Sequence, residues 1–240
     1  MEKEKSTFFA GVKAGLPICF GYLSVAFAFG IFALSSGLSP VQALLISATN
    51  VTSAGQLAAV PIMVGGGTLI ELAASQLMIN LRYALMSVSL SQKFDSAFRL
   101  RDKLIIAFVV TDEVFAVASS QPGEVDKKYM YGLILTPFLG WSGGTILGAV
   151  AGSLLPAVVI SALGIAIYAM FIAIVIPVAR EDYKTLICVA IAVVLSLAFH
   201  FLPLLREVPG GFVVIICSVA ASALAALLFP IHSEKGAAEE

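Results

Sequence analysis

Two apolar stretches joined by a charged loop organise this chain: IELAASQLMINLRYALMSVSLSQ at residues 70–92 and LIIAFVVTDEVFAVASS at residues 104–120. We predict both stretches to be helices, and two antiparallel helices joined by a short loop are usually neighbours. Arg82 and Asp112 lie 11 and 9 residues from the two ends of the loop Lys93–Lys103. At about 1.5 Å per residue these separations are about 16 Å and about 14 Å. The two side chains are therefore predicted to lie at similar depth and close together.

The composition is typical of a membrane protein. Hydrophobic residues make up 60% of the chain and charged residues only 12%, whereas soluble domains contain about 45–50% and about 25%. The net charge of −1 argues against a nucleic-acid partner, which requires a basic surface. A charge at the centre of a bilayer costs about 2.5–3.5 kcal/mol and usually has a function. Arg82, Asp112 and Glu113 are therefore candidate functional residues.

The predicted fold is all-α, a polytopic membrane helical bundle of about seven to eight transmembrane segments. A segment needs about 20 apolar residues, and eight runs meet this condition: 14–35, 41–63, 68–92, 104–120, 129–152, 157–178, 184–203 and 211–230. We predict one transmembrane domain over residues 1–230 and a disordered tail at 231–240. The first run is longer than the core of a signal peptide, so we expect it to be retained.

The second run is too polar for contact with lipid, because residues 47–56 read SATNVTSAGQ. Irregular backbone in a membrane must be covered by protein or by a water-filled cavity, and transporters often build substrate sites from such interrupted helices. We predict an interrupted second segment. An intact helix with closely packed small residues is the alternative. The segment either spans the membrane or is re-entrant, and the distribution of Lys and Arg places the N-terminus in the cytoplasm in both cases.

The fifth run is rich in proline and glycine. Either it contains a second break near Pro137, or Gly144 and Gly148 form a GxxxG step at a close helix crossing. Two sets of prolines with similar spacing indicate two internal repeats: Pro17, Pro40 and Pro61, then Pro137, Pro156 and Pro177. Duplicated halves around a site at the midplane of the membrane are typical of secondary transporters.

The polar residues suit a zwitterionic substrate. Its carboxylate needs a cation or hydrogen-bond donors, and its ammonium needs acceptors. The candidate substrate-binding residues are Arg82, Asn80, Asn50, Gln56 and Ser53. The candidate proton-coupling residues are Asp112 and Glu113, because a carboxyl group shielded from water binds a proton more readily.

Asp112 and Glu113 differ by about 100° around a helix, so we expect one of them to face Arg82 and the other to face a different neighbour. Asp112 lies closer in depth to Arg82 and is the predicted partner. The alternative is a static buried ion pair that only fixes the packing. Such pairs are often no more stabilising than hydrophobic replacements, which favours a functional role.

Other functional classes lack their motifs. The chain contains no Walker A loop, no HExxH and no GxSxG sequence, so we expect neither ATP binding nor a protease. Cys19, Cys188 and Cys217 lie singly in apolar runs and are predicted to be small buried hydrophobic residues. We predict no metal site, no cofactor and no enzymatic activity.

With these residues in place, the chain resembles the AzlC family, the large subunit of bacterial branched-chain amino acid exporters. The resemblance extends over residues 8–230 and rests on short motifs in order: Gly21, Gly37-Leu38-Ser39-Pro40, Ser53-Ala54-Gly55-Gln56, Asn80-Leu81-Arg82, Thr111-Asp112-Glu113, and Trp141 with Gly143-Gly144 and Gly148. At Tyr83 the family commonly has a histidine or another ring.

The resemblance implies export of leucine, isoleucine, valine and methionine across the cell inner membrane, driven by the proton gradient. It also implies a small AzlD-like membrane subunit as a partner. Two other functions remain open at this stage. The chain is alternatively a channel or carrier for another small solute, or a membrane scaffold subunit that transports nothing.

Overall fold

The computed structural model describes residues 7–152, 154–156, 158, 172, 175–177 and 179–230. Within these residues the chain forms nine α-helices: α1 (Phe8–Ser35), α2 (Pro40–Thr49), α3 (Ser53–Val64), α4 (Leu69–Ser91), α5 (Leu100–Val109), α6 (Asp112–Ser119), α7 (Lys127–Gly152), α8 (Tyr183–Phe201) and α9 (Gly210–Leu228). The only β-type pairing in the described part is an isolated bridge between Phe94 and Val125. The all-α prediction is confirmed.

Four of the described helices are long and apolar enough to cross a membrane: α1, α7, α8 and α9. Helix α4 has 23 residues but carries many polar side chains. The predicted segment 157–178 lies largely outside the described residues, and the tail 231–240 lies outside them completely. The prolines of the second set are described, but most residues between Pro156 and Pro177 are not. The count of seven to eight segments and the internal repeats therefore stay predictions.

Helices α1 and α7 pack with their backbones in direct contact. A methyl carbon placed on Gly148 would stand 1.9 Å from the carbonyl oxygen of Phe27, and one on Gly11 would stand 2.0 Å from that of Tyr129. Such separations allow only glycine, because any Cβ would overlap backbone atoms. Of the two alternatives for the fifth run, the structure shows the close crossing at Gly144 and Gly148, and α7 runs without a break through this region.

The second predicted segment is interrupted. Helix α2 ends at Thr49 and α3 begins at Ser53, so residues 50–52 form the break. The prediction of an interrupted second segment is confirmed. Whether this segment spans the membrane or is re-entrant stays open, as does the side on which the N-terminus lies.

The prediction of one continuous helix over residues 104–120 is wrong. Helix α5 ends at Val109, Val110 is extended, and α6 starts at Asp112. The Thr111 hydroxyl accepts a hydrogen bond from the Val114 N–H, and acidic residues follow in the first turn. This combination caps a helix N-terminus. β-branched residues such as Val109 and Val110 also lower helix propensity, and the high hydropathy of the run concealed this start signal.

A core of buried side chains packs the break between α5 and α6 against α7. It joins residues from the end of α4, from α5 and α6, and from the first half of α7: Leu90, Ile106, Val110, Val114, Met130 and Leu133 are among them. The far end of α6 is held by Lys93, whose Nζ donates to the carbonyl oxygens of Ser119 and Gln121 at 2.6 and 2.7 Å. Both ends of α6 are therefore positioned by polar contacts.

Candidate functional site

Arg82 and Asp112 form an ion pair across α4 and α6. Arg82 Nη2 lies 3.0 Å from Asp112 Oδ2, and the two side chains are 52% and 41% exposed. Arg82 also donates to the Tyr83 hydroxyl at 2.9 Å, and its guanidinium lies 4.7 Å from the centre of the Tyr83 ring. The predicted pairing of Arg82 with Asp112 is confirmed. About half of each of the two side chains is not covered by the rest of the chain.

The polar residues of α4 also bind the break between α2 and α3. The Thr52 hydroxyl donates to Asn80 Oδ1 at 2.8 Å, and Asn50 Nδ2 donates to Gln76 Oε1 at 2.8 Å. Gln76 in turn donates to the Gly55 carbonyl oxygen at 3.0 Å. The amide side chains of α4 thus hold the break through the side chains of Asn50 and Thr52 and through the Gly55 carbonyl oxygen. Asn50 and Asn80 are brought to the same region as Arg82.

Glu113 faces a different neighbour from Asp112, as predicted. Its carboxylate accepts a hydrogen bond from the Tyr22 hydroxyl of α1, and the same hydroxyl lies 2.6 Å from Thr111 Oγ1. The Tyr22 ring packs edge-on against Trp141 of α7, with ring centroids 5.1 Å apart. The break between α5 and α6 is therefore tied to α1. Tyr22 was not predicted, because a single tyrosine on an apolar helix carries no sequence signal.

The N-termini of α3 and α6 reach the same stretch of α4. Thr52, the N-cap of α3, contacts Asn80, and Asp112, the first residue of α6, contacts Arg82. The first-turn N–H groups of a helix carry partial positive charge. In α6 this partial positive charge lies next to the acidic residues Asp112 and Glu113 and to the capping side chain of Thr111. In α3 the Thr52 side chain makes no capping hydrogen bond, and its hydroxyl donates to Asn80 on α4.

Two further predicted residues lie along α3. Ser53 is the first residue of the helix, next to Thr52. Gln56 is completely buried, and within the described part of the chain neither its amide nitrogen nor its amide oxygen has a hydrogen-bond partner. Val60, one turn further on the same face, packs with Phe29 of α1. By helical periodicity Gln56 also faces α1, so the structure does not bring it to Arg82, and its predicted role in substrate binding is untested.

Another charged cluster, centred on Asp102, lies where α5 and α7 begin. The Asp102 carboxylate accepts from Lys127 Nζ at 2.7 Å, from the Arg99 N–H at 2.9 Å and from the Tyr131 hydroxyl at 2.8 Å. The Lys127 hydrogen bond, followed by the Arg99 N–H, holds the pKa of Asp102 well below its usual value. This cluster joins the loop Lys93–Lys103 to the helix that packs on α1.

Glu71 is a buried acidic residue to which sequence analysis gave no role. It lies in the first turn of α4 and is 5% exposed. Its Oε1 accepts the Gly211 N–H at 2.8 Å, at the start of α9. Its position on the same helical face as Arg82 was visible in the sequence, but its contact with α9, 140 residues away along the chain, was not.

The sequence model of the AzlC protein family matches residues 17–155. The chain belongs to the AzlC family. The matched range contains both helix breaks and all of the polar residues described on α3, α4 and α6. Two of the sequence motifs, Asn80-Leu81-Arg82 and Thr111-Asp112-Glu113, are joined in the structure by the Arg82–Asp112 ion pair.

Several relatives of this AzlC-family chain are membrane proteins. An uncharacterised membrane protein of Archaeoglobus fulgidus is 34% identical, covering 84% of the chain and 88% of the relative. The inner membrane protein YgaZ of Escherichia coli is 31% identical, and the match covers 80% of the chain and 81% of the relative. The branched-chain amino acid transport protein AzlC of Bacillus subtilis is 27% identical, and the match covers 58% of the chain and 55% of the relative. None of these names is that of an enzyme, and no solved structure matches the chain.

Proposed function

We propose that this protein is a secondary transporter that exports the branched-chain amino acids leucine, isoleucine and valine, and methionine as an additional substrate. The half-exposed Arg82–Asp112 pair is the observation that carries the proposal. It provides a cation and an anion on two helices, beside the starts of two half-helices, in a membrane protein of the AzlC family. The distant relative named for branched-chain amino acid transport supports this choice of substrate.

In the proposed mechanism the substrate carboxylate binds to Arg82 in place of Asp112. The uncapped start of α3, with Ser53, Asn50 and Asn80, supplies further donors, and Gln56 lines the same broken segment. The substrate ammonium binds to the acidic residues that start α6. This arrangement matches a zwitterion, which needs opposite charges a few ångströms apart.

The same exchange couples transport to protons. A proton that binds to Asp112 from outside the cell removes the negative charge that holds the substrate ammonium, so the substrate is released. In the inward-facing state Asp112 releases the proton to the cytoplasm and the next substrate binds, so protons move inward as the amino acid moves outward. Glu113, hydrogen-bonded to Tyr22, is the second proton-coupling residue and links this step to α1. In the transport cycle the Arg82–Asp112 site is open to one side of the membrane and then to the other.

The transporter works with a small AzlD-like membrane subunit. Helix α8 has no buried residue among those described, so its surface is available to a subunit as well as to lipid. The N-terminus of the chain lies in the cytoplasm. The subunit is tested directly by reconstituting the chain alone and together with such a partner.

The experiment is leucine flux in proteoliposomes, with and without a pH gradient, for the wild type and Arg82→Gln. Removing a charge-assisted contact to a carboxylate costs about 1.5–3 kcal/mol, or at least tenfold. We therefore expect gradient-dependent, saturable leucine flux that falls at least about tenfold in Arg82→Gln. Arg101→Gln is the matched control, because Arg101 is an exposed arginine in the first turn of α5, away from the Arg82–Asp112 pair.

Three results would contradict the proposal in different ways. Flux at the wild-type level in Arg82→Gln would remove the site assignment. Leucine flux that does not saturate would indicate a channel. The absence of leucine flux with and without the partner would indicate another solute or a scaffold role.

A further inference from the structure

Glu71 is a buried carboxylate with no cationic partner. It is 5% exposed, and the two ion pairs found in the described part of the chain involve other residues. A buried charge is costly unless it is paired or fully hydrogen-bonded. The proposed transport mechanism, centred on Arg82, does not use this residue. Glu71 lies 11 residues before Arg82 on α4, about 16 Å along the helix.

One carboxylate oxygen of Glu71 is accounted for by the protein. Oε1 accepts the Gly211 N–H at 2.8 Å, where α9 begins after Pro209 without a capping side chain. Two glycines make room for the carboxylate. A methyl carbon on Gly211 would stand 2.6 Å from Glu71 Cγ, and one on Gly67 would stand 2.9 Å from Glu71 Oε2. Oε2 has no hydrogen bond to the described residues.

The carboxylate borders a cavity of about 600 Å³. Small-molecule sites are typically about 300–1,000 Å³. Its walls are the end of α3, the turn at residues 65–68, the start of α4 and the start of α9. Most of this surface is apolar, with side chains such as Pro61, Ile62 and Val214, and Glu71 is the only titratable residue among the described residues that line it. The cavity thus combines one anionic acceptor with an aliphatic wall.

We propose that this cavity binds a primary alkylammonium group, with Glu71 Oε2 as the acceptor and the apolar wall holding the alkyl chain. This cavity is a second subsite, separate from the Arg82–Asp112 pair. The further step, that the ammonium belongs to an amino acid passing to or from that pair, rests on the proposed function. The ammonium site itself does not, because it follows from the carboxylate and the cavity.

The experiment is a calorimetric titration of the purified full-length protein in nanodiscs with 3-methylbutylammonium chloride. This cation has a branched aliphatic chain and no carboxylate. Glu71→Gln keeps an oxygen for the Gly211 N–H and removes the charge, so it separates ammonium binding from helix capping. Loss of a charge-assisted hydrogen bond predicts binding at least about tenfold weaker. Glu124→Gln, at an exposed loop position, is the matched control and should bind like the wild type.

A second variant tests the cavity without altering the charge. Val214→Phe fills the space beside Glu71, and we expect it to weaken binding of the same cation. This variant also decides the matter if Glu71→Gln proves to be misfolded by size-exclusion chromatography. Binding of the cation at Asp112 or Glu113 is the same in the wild type and in the three variants. It therefore does not change the difference in affinity between them.

The site is overturned if the wild type does not bind the cation, or if Glu71→Gln and Val214→Phe both bind it with wild-type affinity. This outcome is distinct from failure of the transport proposal. Leucine flux that depends on Arg82, together with wild-type cation affinity in both Glu71→Gln and Val214→Phe, would remove the second subsite alone. Cation binding that depends on Glu71, together with no leucine flux, would remove the transport proposal and leave the site.

Discussion

The packing of α1 on α7 and the junction of α3, α4 and α6 are held together in opposite ways. In the first region, glycines bring two backbones into direct contact, as at Gly148 against Phe27. In the second, side-chain hydrogen bonds and one ion pair span the gaps between helices, as at Thr52–Asn80 and Arg82–Asp112. Close-packed backbones have one arrangement, whereas polar side chains can exchange partners.

This difference separates a scaffold from a working region. Interfaces built on small residues gain stability from close van der Waals contact, and nothing in them can be replaced by a solute. A half-exposed ion pair contributes little to stability, but a zwitterion can compete for both of its members. We therefore expect substitutions in the first region to affect mainly stability, and those in the second to affect mainly transport.

The largest effect on stability is expected for Gly148→Ala. The added methyl group would overlap the Phe27 carbonyl group, and overpacking of this kind costs about 1–3 kcal/mol or more. Gly143→Ala, on the same helix, has no atom within 4 Å of the added carbon and should be neutral or slightly stabilising. Thermal unfolding in detergent measures both variants. Equal midpoints would show that α1 and α7 are not in backbone contact.

An intermediate effect is expected for Asp102→Asn, where the two regions meet. The pKa of Asp102 is lowered in the folded protein, so its contribution to stability is present above the ordinary carboxyl pKa of 3.8. It is lost as the pH falls through the folded pKa. Asp102→Asn should therefore lower the unfolding midpoint at neutral pH, and the gap to the wild type should narrow on acidification. A gap that does not change with pH would contradict the charged contact with Lys127.

The smallest effect on stability is expected for the Arg82–Asp112 pair. Both side chains are about half exposed, and exposed pairs contribute about 0.2–1 kcal/mol. A double-mutant cycle of Arg82→Gln and Asp112→Asn should give a coupling energy in this range, while each single variant has a large effect on leucine flux. A coupling energy well above this range would indicate that the pair is structural. It would contradict the distinction between a stabilising α1–α7 interface and a working junction of α3, α4 and α6.

Several features of the site were predictable from local sequence. The polar run at residues 47–56 indicated a broken helix, and equal distances from a shared loop placed Arg82 near Asp112. The adjacent positions of Asp112 and Glu113 on a helix implied that they face different neighbours. Each of these conclusions depends on helix geometry and on the cost of polar groups in a membrane, which act over a few residues.

Other features were not predictable from the sequence. The start of α6 at Thr111 had a recognisable cap, but its apolar surroundings resembled a continuous transmembrane segment. The contacts of Tyr22 with Glu113 and of Glu71 with Gly211 join helices that are distant along the chain. No periodicity of one helix specifies which face of another helix it meets.

The sequence by itself determined that this is a helical membrane protein with charged residues in its apolar segments, because composition and helical period decide those properties locally. It also determined the family, through short motifs in a fixed order. Only the tertiary structure decided that two half-helices begin beside the same stretch of α4, and that Glu71 borders a cavity formed with α9. These arrangements depend on how whole helices pack, and the free energy of that packing is shared among residues far apart in the chain.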